Sequence, residues 1–237
     1  MLVRTTAINK IIKLKKRIKI IQGGTSAGKT FGILPILIHK AADTPNIEIS
    51  VVAESIPHLR RGALKDFLNI MKWTGRYFEQ RFNKSLLRYE FANGSYIEFF
   101  SADDSSKLRG ARRDILYINE CNNVDFNSYN ELAIRTKQEI YLDFNPANEF
   151  WVHTELKDEG DSDFLILTYK DNEALDERIV KEIEKNKLKA NTSSYWENWW
   201  RVYGEGLVGM LEGVVFSNWK VIDKIPTEAR LLGYGVD

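Results

Sequence analysis

The sequence predicts an α/β fold with a mainly parallel central sheet, flanking helices and an antiparallel hairpin at one edge. A short apolar run over residues 18–21 has the composition of a strand, and a glycine-rich loop follows it. Residues 31–42 then carry apolar side chains at helical spacing. A second strand over residues 47–52 and an amphipathic helix over residues 57–73 continue this alternation. Alternating strands and helices are typical of parallel sheets with helices packed on them.

The hairpin is predicted by Asn93-Gly94, a dipeptide that favours a tight turn between antiparallel strands. Strand-forming runs flank this dipeptide over residues 86–91 and 96–100. Three later apolar runs are also typical of strands: residues 115–118, 139–144 and 164–168. Ligands bind beyond the carboxyl ends of parallel strands, so we expect the polar residues that follow these strands to meet the glycine-rich loop.

The glycine-rich loop reads Gly-Gly-Thr-Ser-Ala-Gly-Lys-Thr over residues 23–30 and matches G-x-x-x-x-G-K-[ST] at every fixed position. Glycines let backbone N–H groups surround phosphates, and the following helix adds its positive amino-terminal end. The lysine of this pattern reaches the β- and γ-phosphates, and the hydroxyl of its last residue ligates Mg²⁺. The sequence therefore predicts a P-loop nucleoside triphosphatase whose ATP ligands are Gly23, Gly24, Thr25, Ser26, Ala27, Gly28, Lys29 and Thr30.

Hydrolysis of a nucleotide needs a second ligand in the Mg²⁺ shell and a carboxylate that activates water. The strand at residues 115–118 ends in Asn119-Glu120, which is similar to a Walker B strand with asparagine in place of the usual aspartate. We expect the carbonyl oxygen of Asn119 to hold the Mg²⁺ water shell. Glu120 is expected to polarise the attacking water as a general base.

Two further motifs accompany this predicted site. The strand at residues 139–144 ends in Asn145-Pro146, where an additional-strand, RecA-like ATPase would place a γ-phosphate sensor or coupling residue; the dipeptide is also a common turn initiator. A basic run over residues 107–113 precedes the Walker B-like strand. An arginine in this run is a candidate for stabilising charge on the transferred phosphoryl group, and a solvated basic turn is the alternative for each of them.

Composition excludes several other classes of protein. The 237 residues carry 34 basic and 33 acidic side chains, so any contact with a polyanion must be local. Cys121 is the only cysteine, which excludes an intrachain disulfide and a zinc site built on several thiolates. No apolar run approaches the length of a membrane span. We therefore expect a soluble protein of a reducing cytoplasm without a membrane partner.

Three segments leave alternatives open. The spacing of basic and apolar residues over positions 1–17 predicts a basic helix. This helix either presents a solvated face before the first strand or serves as a DNA-binding arm. The tryptophans at positions 196, 199 and 200 are either a packed helix face or a base-stacking platform. A mobile lid or linker is indicated by Gly204, Gly206, Gly209 and Gly213.

Taken in order, residues 23–30, 115–120 and 141–146 resemble the ATPase domain of the large terminase subunit of tailed phages and prophages. Residues 200–206 (Trp-Arg-Val-Tyr-Gly-Glu-Gly) and 213–216 (Gly-Val-Val-Phe) are similar to the lid and linker of that family. The phosphate loop alone discriminates little, whereas the Asn-Pro and Tyr-Gly-Glu-Gly segments in this order are more specific. The resemblance covers about residues 15–237.

The resemblance implies an ATP-driven motor that moves double-stranded DNA into a procapsid, in the cytoplasm of an infected bacterial host. Its expected partners are a portal protein, a small terminase subunit and further copies of the chain in a ring, expected to be a pentamer. It also implies an ATPase domain over residues 1–205. Residues 206–237 would be a lid or linker and the first strand of a nuclease domain, with Asp237 its first metal ligand. No nuclease activity is expected of this chain.

The family's residue roles carry over onto matching positions. Lys29 and Thr30 would bind phosphate and Mg²⁺, and Asn119 would take the Walker B position. Glu120 would be the catalytic carboxylate. Asn145 would belong to the motif that couples hydrolysis to movement.

A neighbouring subunit would supply an arginine finger, for which Arg109 is the candidate. Many family members carry an arginine inside the phosphate loop, where this chain has Thr25. Two other readings stay open at this point: another additional-strand ATPase, such as a helicase or recombination ATPase, and a nucleotide-dependent assembly module with little turnover.

Overall fold

The computed structural model describes residues 3–103, 110 and 112–210, and eight strands within them form one sheet. The strands are β1 (Ile18–Gly23), β2 (Glu48–Ala53), β3 (Phe82–Asn83), β4 (Arg88–Glu90), β5 (Tyr96–Ser101), β6 (Arg113–Ile118), β7 (Thr136–Phe144) and β8 (Ser162–Leu167). Their spatial order is β3-β4-β5-β2-β6-β7-β1-β8. Neighbours from β5 to β8 pair in parallel, and β3 and β4 extend the sheet in antiparallel pairing.

Strand β7 lies between β1, which leads into the phosphate loop, and β6, which ends before Asn119. This intervening strand is the feature that gives the additional-strand type of P-loop fold its name. Both β1 and β6 are buried along their whole length, as expected of parallel strands covered on both faces. The predicted fold class is confirmed.

The edge hairpin forms where the sequence predicts it. Strands β4 and β5 pair in antiparallel register, with Tyr89 opposite Ile97. Gly94 adopts a left-handed φ of 83° in the connecting turn, and the Asn93 side chain donates hydrogen bonds to the carbonyl groups of Ala41, Ala42 and Thr44. These bonds fasten the turn to the end of the helix that follows the phosphate loop.

Helices cover both faces of the sheet. They are α1 (Thr6–Ile12), α2 (Lys29–Asp43), α3 (Ile56–Arg61), α4 (Ala63–Trp73), α5 (Phe126–Ala133), α6 (Glu177–Lys189) and α7 (Ser194–Trp199), with π-helical turns at Val152–Leu156 and Trp200–Gly204. Buried residues of α1, α2 and α4 form one core against the sheet. Residues of α5 and of the first π-helical turn form a second core on the other face.

The amphipathic helix predicted over residues 57–73 is two helices, α3 and α4. The chain leaves the helical conformation at Gly62, where φ is −102° and ψ is −111°. This break brings the Gly62 backbone beside Asn119, because a Cβ at Gly62 would lie 3.5 Å from the Asn119 Oδ1. Helix α3 is therefore turned toward the carboxyl edge of the sheet, where the predicted site lies.

The basic amino-terminal helix is shorter than predicted. It begins after Thr5, whose hydroxyl caps it, and ends at Ile12. Ala7, Ile8 and Ile11 are buried, and Ala7 and Ile11 belong to the core shared with α2, so the apolar face of the helix packs inside the domain. The helix ends there because the chain must turn into β1, with Lys15 and Lys16 donating backbone hydrogen bonds to the carboxylate of Asp163.

Candidate active site

The phosphate loop runs from the end of β1 to the start of α2. Gly28 caps the helix with a left-handed φ of 76°, and Ser26 is also left-handed at 57°. Asn172, beyond β8, donates a hydrogen bond of 2.9 Å from its Nδ2 to the Ser26 carbonyl oxygen. Left-handed residues before a helix curl the backbone into the concave form that binds anions. The loop therefore has the geometry of a phosphate cradle.

Lys29 projects across this loop from the first turn of α2. Its Nζ donates hydrogen bonds of 3.0 Å to the carbonyl oxygens of Gly23 and Gly24, and one of 2.5 Å to the Oδ1 of Asn145. Burial lowers the pKa of Lys29, while the charges of Asp143 and Glu120 oppose that effect. The structure thus brings the predicted phosphate-binding lysine and the predicted coupling residue into direct contact.

Asn119 is almost fully buried at the end of β6. Its Nδ2 lies 3.0 Å from the Asp143 Oδ1, 3.2 Å from the Tyr117 hydroxyl and 3.5 Å from the Thr30 hydroxyl. An ionised carboxylate only accepts hydrogen bonds, so the atom facing Asp143 must be the amide nitrogen. The carbonyl oxygen, expected to hold the Mg²⁺ water shell, is turned toward Gly62 instead.

Glu120 follows with a left-handed backbone, φ 53° and ψ 55°, which costs a non-glycine residue about 1–2 kcal/mol. Its N–H donates a hydrogen bond of 3.1 Å to the Asp143 Oδ1, which holds this conformation. The carboxylate is half exposed, and its Oε2 lies 3.1 Å from the Nε2 of His58 on α3. The predicted general base is thus fixed at its backbone and open at its carboxylate.

Asp143 joins these groups together, and sequence reasoning did not single it out as a site residue. It lies on β7 with 1% of its surface exposed. Its Oδ1 accepts hydrogen bonds from the Tyr117 hydroxyl, the Asn119 amide and the Glu120 N–H. Burial, and secondly the charge of Asp143, raise the pKa of Cys121, so this thiol stays protonated. A charged residue inside an apolar strand was the available sequence signal.

The glycine-rich segment predicted as a lid lies against the phosphate loop. The Tyr203 carbonyl oxygen accepts a hydrogen bond of 2.9 Å from the Thr25 N–H. A Cβ at Gly24 would overlap that oxygen, so only glycine allows this approach. Farther along, the Gly209 N–H donates 2.9 Å to the carbonyl oxygen of Pro146. The segment over residues 203–209 therefore touches both the phosphate loop and the Asn-Pro motif.

A partly buried chain of hydrogen bonds connects this segment to β1. The Phe150 N–H donates to the His153 Nδ1 at 3.3 Å, which leaves the His153 Nε2–H to donate to the Gln22 Oε1 at 2.9 Å. The Gln22 Nε2 then donates 2.6 Å to the Gly206 carbonyl oxygen. Burial lowers the pKa of His153, which keeps the ring neutral at pH 7. The contact joins three distant parts of the chain, so no local sequence pattern could have revealed it.

The tryptophans after α6 are partly buried around the same segment. Trp199 stacks at a tilt on Tyr203, with ring centroids 5.4 Å apart, and the Trp200 ring lies directly against Gly204. These contacts belong to a packed helix face, one of the two alternatives that the sequence left open. Tyr195, at the start of α7, is the most exposed aromatic residue of this group at 55%.

Some predicted residues fall outside the described part of the chain. They are Arg109, Gly213 and Asp237. The roles proposed for them, and the nuclease strand ending at Asp237, stay predictions. Among the described residues, no group of three or more His, Cys, Asp or Glu side chains could hold a metal ion. Mg²⁺ bound with a nucleotide needs only one or two carboxylates beside phosphate oxygens and water.

The family described as phage terminase large subunit matches residues 15–205. This chain belongs to that family. No curated protein sequence matches it. Within its described residues, no helix of this terminase chain is long and apolar enough to cross a membrane.

Solved large terminases share its fold. The large terminase of a thermophilic bacteriophage has a TM-score of 0.72 at 18% identity, covering 90% of this chain and 55% of that one. The same protein in complex with ATP-γ-S has a TM-score of 0.68 at 18% identity, covering 86% and 52%. The large terminase ATPase domain of Thermus phage P74-26 has a TM-score of 0.58 at 13% identity, covering 85% and 92%. This terminase chain thus spans about half the length of the thermophilic bacteriophage protein.

Proposed function

We propose that this chain is the ATPase motor domain of a terminase large subunit, which hydrolyses ATP to translocate double-stranded DNA into a procapsid. The meeting of Lys29, Glu120 and Asn145 at one edge of an additional-strand sheet carries the proposal. It combines a phosphate-binding lysine, a half-exposed carboxylate and an asparagine beyond β7 that accepts a hydrogen bond from that lysine. Family membership and the ATP-γ-S complex of the thermophilic bacteriophage terminase support it.

In the proposed mechanism Lys29 neutralises charge on the β- and γ-phosphates, and Glu120 accepts the proton of the attacking water. Thr30 would hold Mg²⁺, which neutralises charge on the phosphate oxygens when bound with ATP. Thr25 brings no positive charge into the loop, so an arginine of a neighbouring subunit completes the site. Arg109 remains the candidate for that finger.

Coupling to movement rests on the bond between Lys29 and Asn145. Phosphate binding competes for the Lys29 ammonium group, and any change in this bond acts on the end of β7. The Pro146 carbonyl oxygen is in turn bonded to the Gly209 N–H. A change at the phosphates therefore has a short path of hydrogen bonds into the segment over residues 203–209.

The remaining partners follow from family membership and are part of the proposal. The motor would act in the cytoplasm of an infected bacterial host as a homo-oligomeric ring, proposed to be a pentamer. A portal protein would anchor the ring, and a small terminase subunit would assist it.

Steady-state ATP hydrolysis by this chain, with Mg²⁺ and with or without double-stranded DNA, tests the proposed function. We expect hydrolysis that rises on addition of double-stranded DNA. Hydrolysis stimulated only by single strands, together with strand unwinding, would favour a helicase instead. A chain that binds ATP but does not hydrolyse it above the background, even with DNA and portal protein present, would contradict a motor and indicate an assembly module.

The region over residues 55–78 offers a surface for the DNA. It holds five Lys or Arg residues and one Asp, a net charge of 5 − 1 = +4 in a chain of net +1. Burial raises the pKa of that acid, Asp66. Within the described part of the chain, none of the five cations forms an ion pair: Arg60, Arg61, Lys65, Lys72 and Arg76. This charge suits the phosphates of a DNA duplex.

Replacing Lys65, Lys72 and Arg76 together with glutamine is expected to weaken duplex DNA binding. Each phosphate contact contributes about 0.9 to the slope of log affinity against log salt, so the slope should fall by about 2–3. Fluorescence anisotropy of labelled duplex DNA at several salt concentrations measures both quantities. Glutamine at the exposed Lys157, Lys170 and Lys181 is the matched control and should change the slope much less. Equal slopes in the two triple variants would exclude this face as the DNA contact.

A further inference from the structure

We infer that Asp143 supplies the carboxylate of the Mg²⁺ shell, in place of the aspartate that the Walker B position of this chain lacks. The inference rests on the proposed ATP hydrolysis and assigns a residue of this chain to its metal ion. Three features of the described structure carry it: the register of two strands, the orientation of one amide and the unused oxygen of a buried carboxylate.

The strand register places Asp143 level with Asn119. Strands β6 and β7 pair in parallel, with Ile118 opposite Leu142. The next residues along each strand, Asn119 and Asp143, therefore lie side by side, and their side chains are hydrogen bonded at 3.0 Å. The Asp143 carboxylate on β7 therefore lies one strand spacing, about 4.8 Å, from the usual Walker B position at the end of β6.

The orientation of Asn119 prevents it from serving as the acceptor. Its Nδ2 faces both Asp143 and the Thr30 hydroxyl, so the amide presents N–H groups to the side on which the metal-binding threonine lies. Turning the amide over would place its oxygen against the Asp143 carboxylate, where neither atom could donate. Asn119 therefore acts as a donor that fixes Asp143.

Asp143 itself keeps one oxygen unused. The three hydrogen bonds to its carboxylate all end on Oδ1. Within the described residues Oδ2 accepts none, and it is not an atom sealed from solvent. A buried ionised carboxylate is costly unless a cation lies near it. The charge of Asp143 also acts on Lys29, so this carboxylate lies near the phosphate-binding lysine.

Glu120 does not offer the same position. Its carboxylate lies beside His58 and is half exposed, whereas that of Asp143 is buried next to the Asn119 amide that reaches Thr30. Mg²⁺ bound with a nucleotide prefers oxygen ligands, with one or two carboxylates. Thr30 and Asp143 form such a donor set, and Glu120 remains available for water.

The affinity for ATP-γ-S, measured by calorimetry in Mg²⁺ and in EDTA, tests the assignment without using turnover. Asp143→Asn keeps an acceptor for the Tyr117 and Glu120 donors but removes the charge. The Mg²⁺-dependent gain is the ratio of the affinity in Mg²⁺ to the affinity in EDTA. We expect this gain to be about 10–100-fold smaller in Asp143→Asn than in the wild type, while the affinity in EDTA is unchanged. The relocated pair Asn119→Asp with Asp143→Asn returns the charge to the usual Walker B position and should recover most of the gain.

Glu120→Gln is the matched control, because it removes a neighbouring charge and should keep the Mg²⁺-dependent gain. Thermal unfolding establishes that each variant is folded. A folded Asp143→Asn with the wild-type gain would overturn the assignment, as would an equal loss in Glu120→Gln. If Asp143→Asn does not fold, the double variant Asn119→Asp with Asp143→Asn is the deciding test. A Mg²⁺-dependent gain like that of the wild type supports the assignment. A folded double variant that lacks this gain overturns the assignment. A wild-type chain that binds no ATP-γ-S would instead contradict the proposed function.

Discussion

Glu120→Gln is expected to lower the turnover number for ATP by about 10²–10⁴-fold, the usual contribution of general base catalysis. The Glu120 carboxylate is half exposed beside His58, while its backbone N–H donates to Asp143. Glutamine keeps the size of the side chain and the backbone bond but cannot accept a proton. Affinity for ATP should therefore stay within a few-fold of the wild type. A phosphate-release assay and a nucleotide-binding titration on the same preparations separate the two effects.

Glu54→Gln is the control for this experiment. Glu54 is an exposed carboxylate just beyond β2 and, within the described residues, forms no hydrogen bond or ion pair with a site residue. Its loss therefore changes the net charge by the same amount while those contacts stay in place. Its turnover should equal that of the wild type. If Glu120→Gln also retains full turnover, another group activates the water and the assignment of Glu120 fails.

Lys29→Ala is expected to weaken ATP binding by at least about 10–100-fold and to reduce hydrolysis to background. A hydrogen bond to a charged group contributes about 1.5–3 kcal/mol. Alanine cannot form the bonds that the Lys29 ammonium group would make to the phosphates. The substitution also leaves the Gly23 and Gly24 carbonyl oxygens and the Asn145 amide without their donor. Titration with a fluorescent ATP analogue measures the affinity.

Lys40→Ala offers a control within the same helix. Lys40 lies in the last turn of α2 and pairs with Glu139 at the opposite end of the sheet from the phosphate loop. Its loss should leave nucleotide affinity unchanged. Tight ATP binding by Lys29→Ala, with the control also intact, would show that the phosphates lie elsewhere.

Local patterns in the sequence were sufficient for the phosphate loop and for every strand except the two-residue β3. The loop, its strand and its helix are contiguous, and Asn93-Gly94 determines a turn through its own backbone preferences. Lys29 follows β1 and Asn145 follows β7, and the carboxyl ends of parallel strands lie at the same edge of a sheet, so these two residues meet.

The groups that sequence reasoning missed depend on contacts between distant segments. His58 meets Glu120 only because the chain breaks at Gly62, a conformation that the apolar spacing of residues 57–73 did not indicate. Asp143 had the appearance of one polar residue in an apolar strand. Its role depends on the level at which β7 pairs with β6, and register is a property of the assembled sheet.

The segment over residues 203–209 contacts its neighbours mainly through its main chain. This segment bonds to the phosphate loop, to the Asn-Pro motif and to Gln22. It does so through main-chain atoms: the carbonyl oxygens of Tyr203 and Gly206 and the N–H of Gly209. Main-chain atoms are the same whatever the side chain, and Gly206 is constrained by its left-handed φ of 69° and its closeness to the loop. Side chains at the other positions of this segment can therefore be replaced without removing these three bonds, whereas a side chain at Gly206 would push the segment away from the phosphate loop.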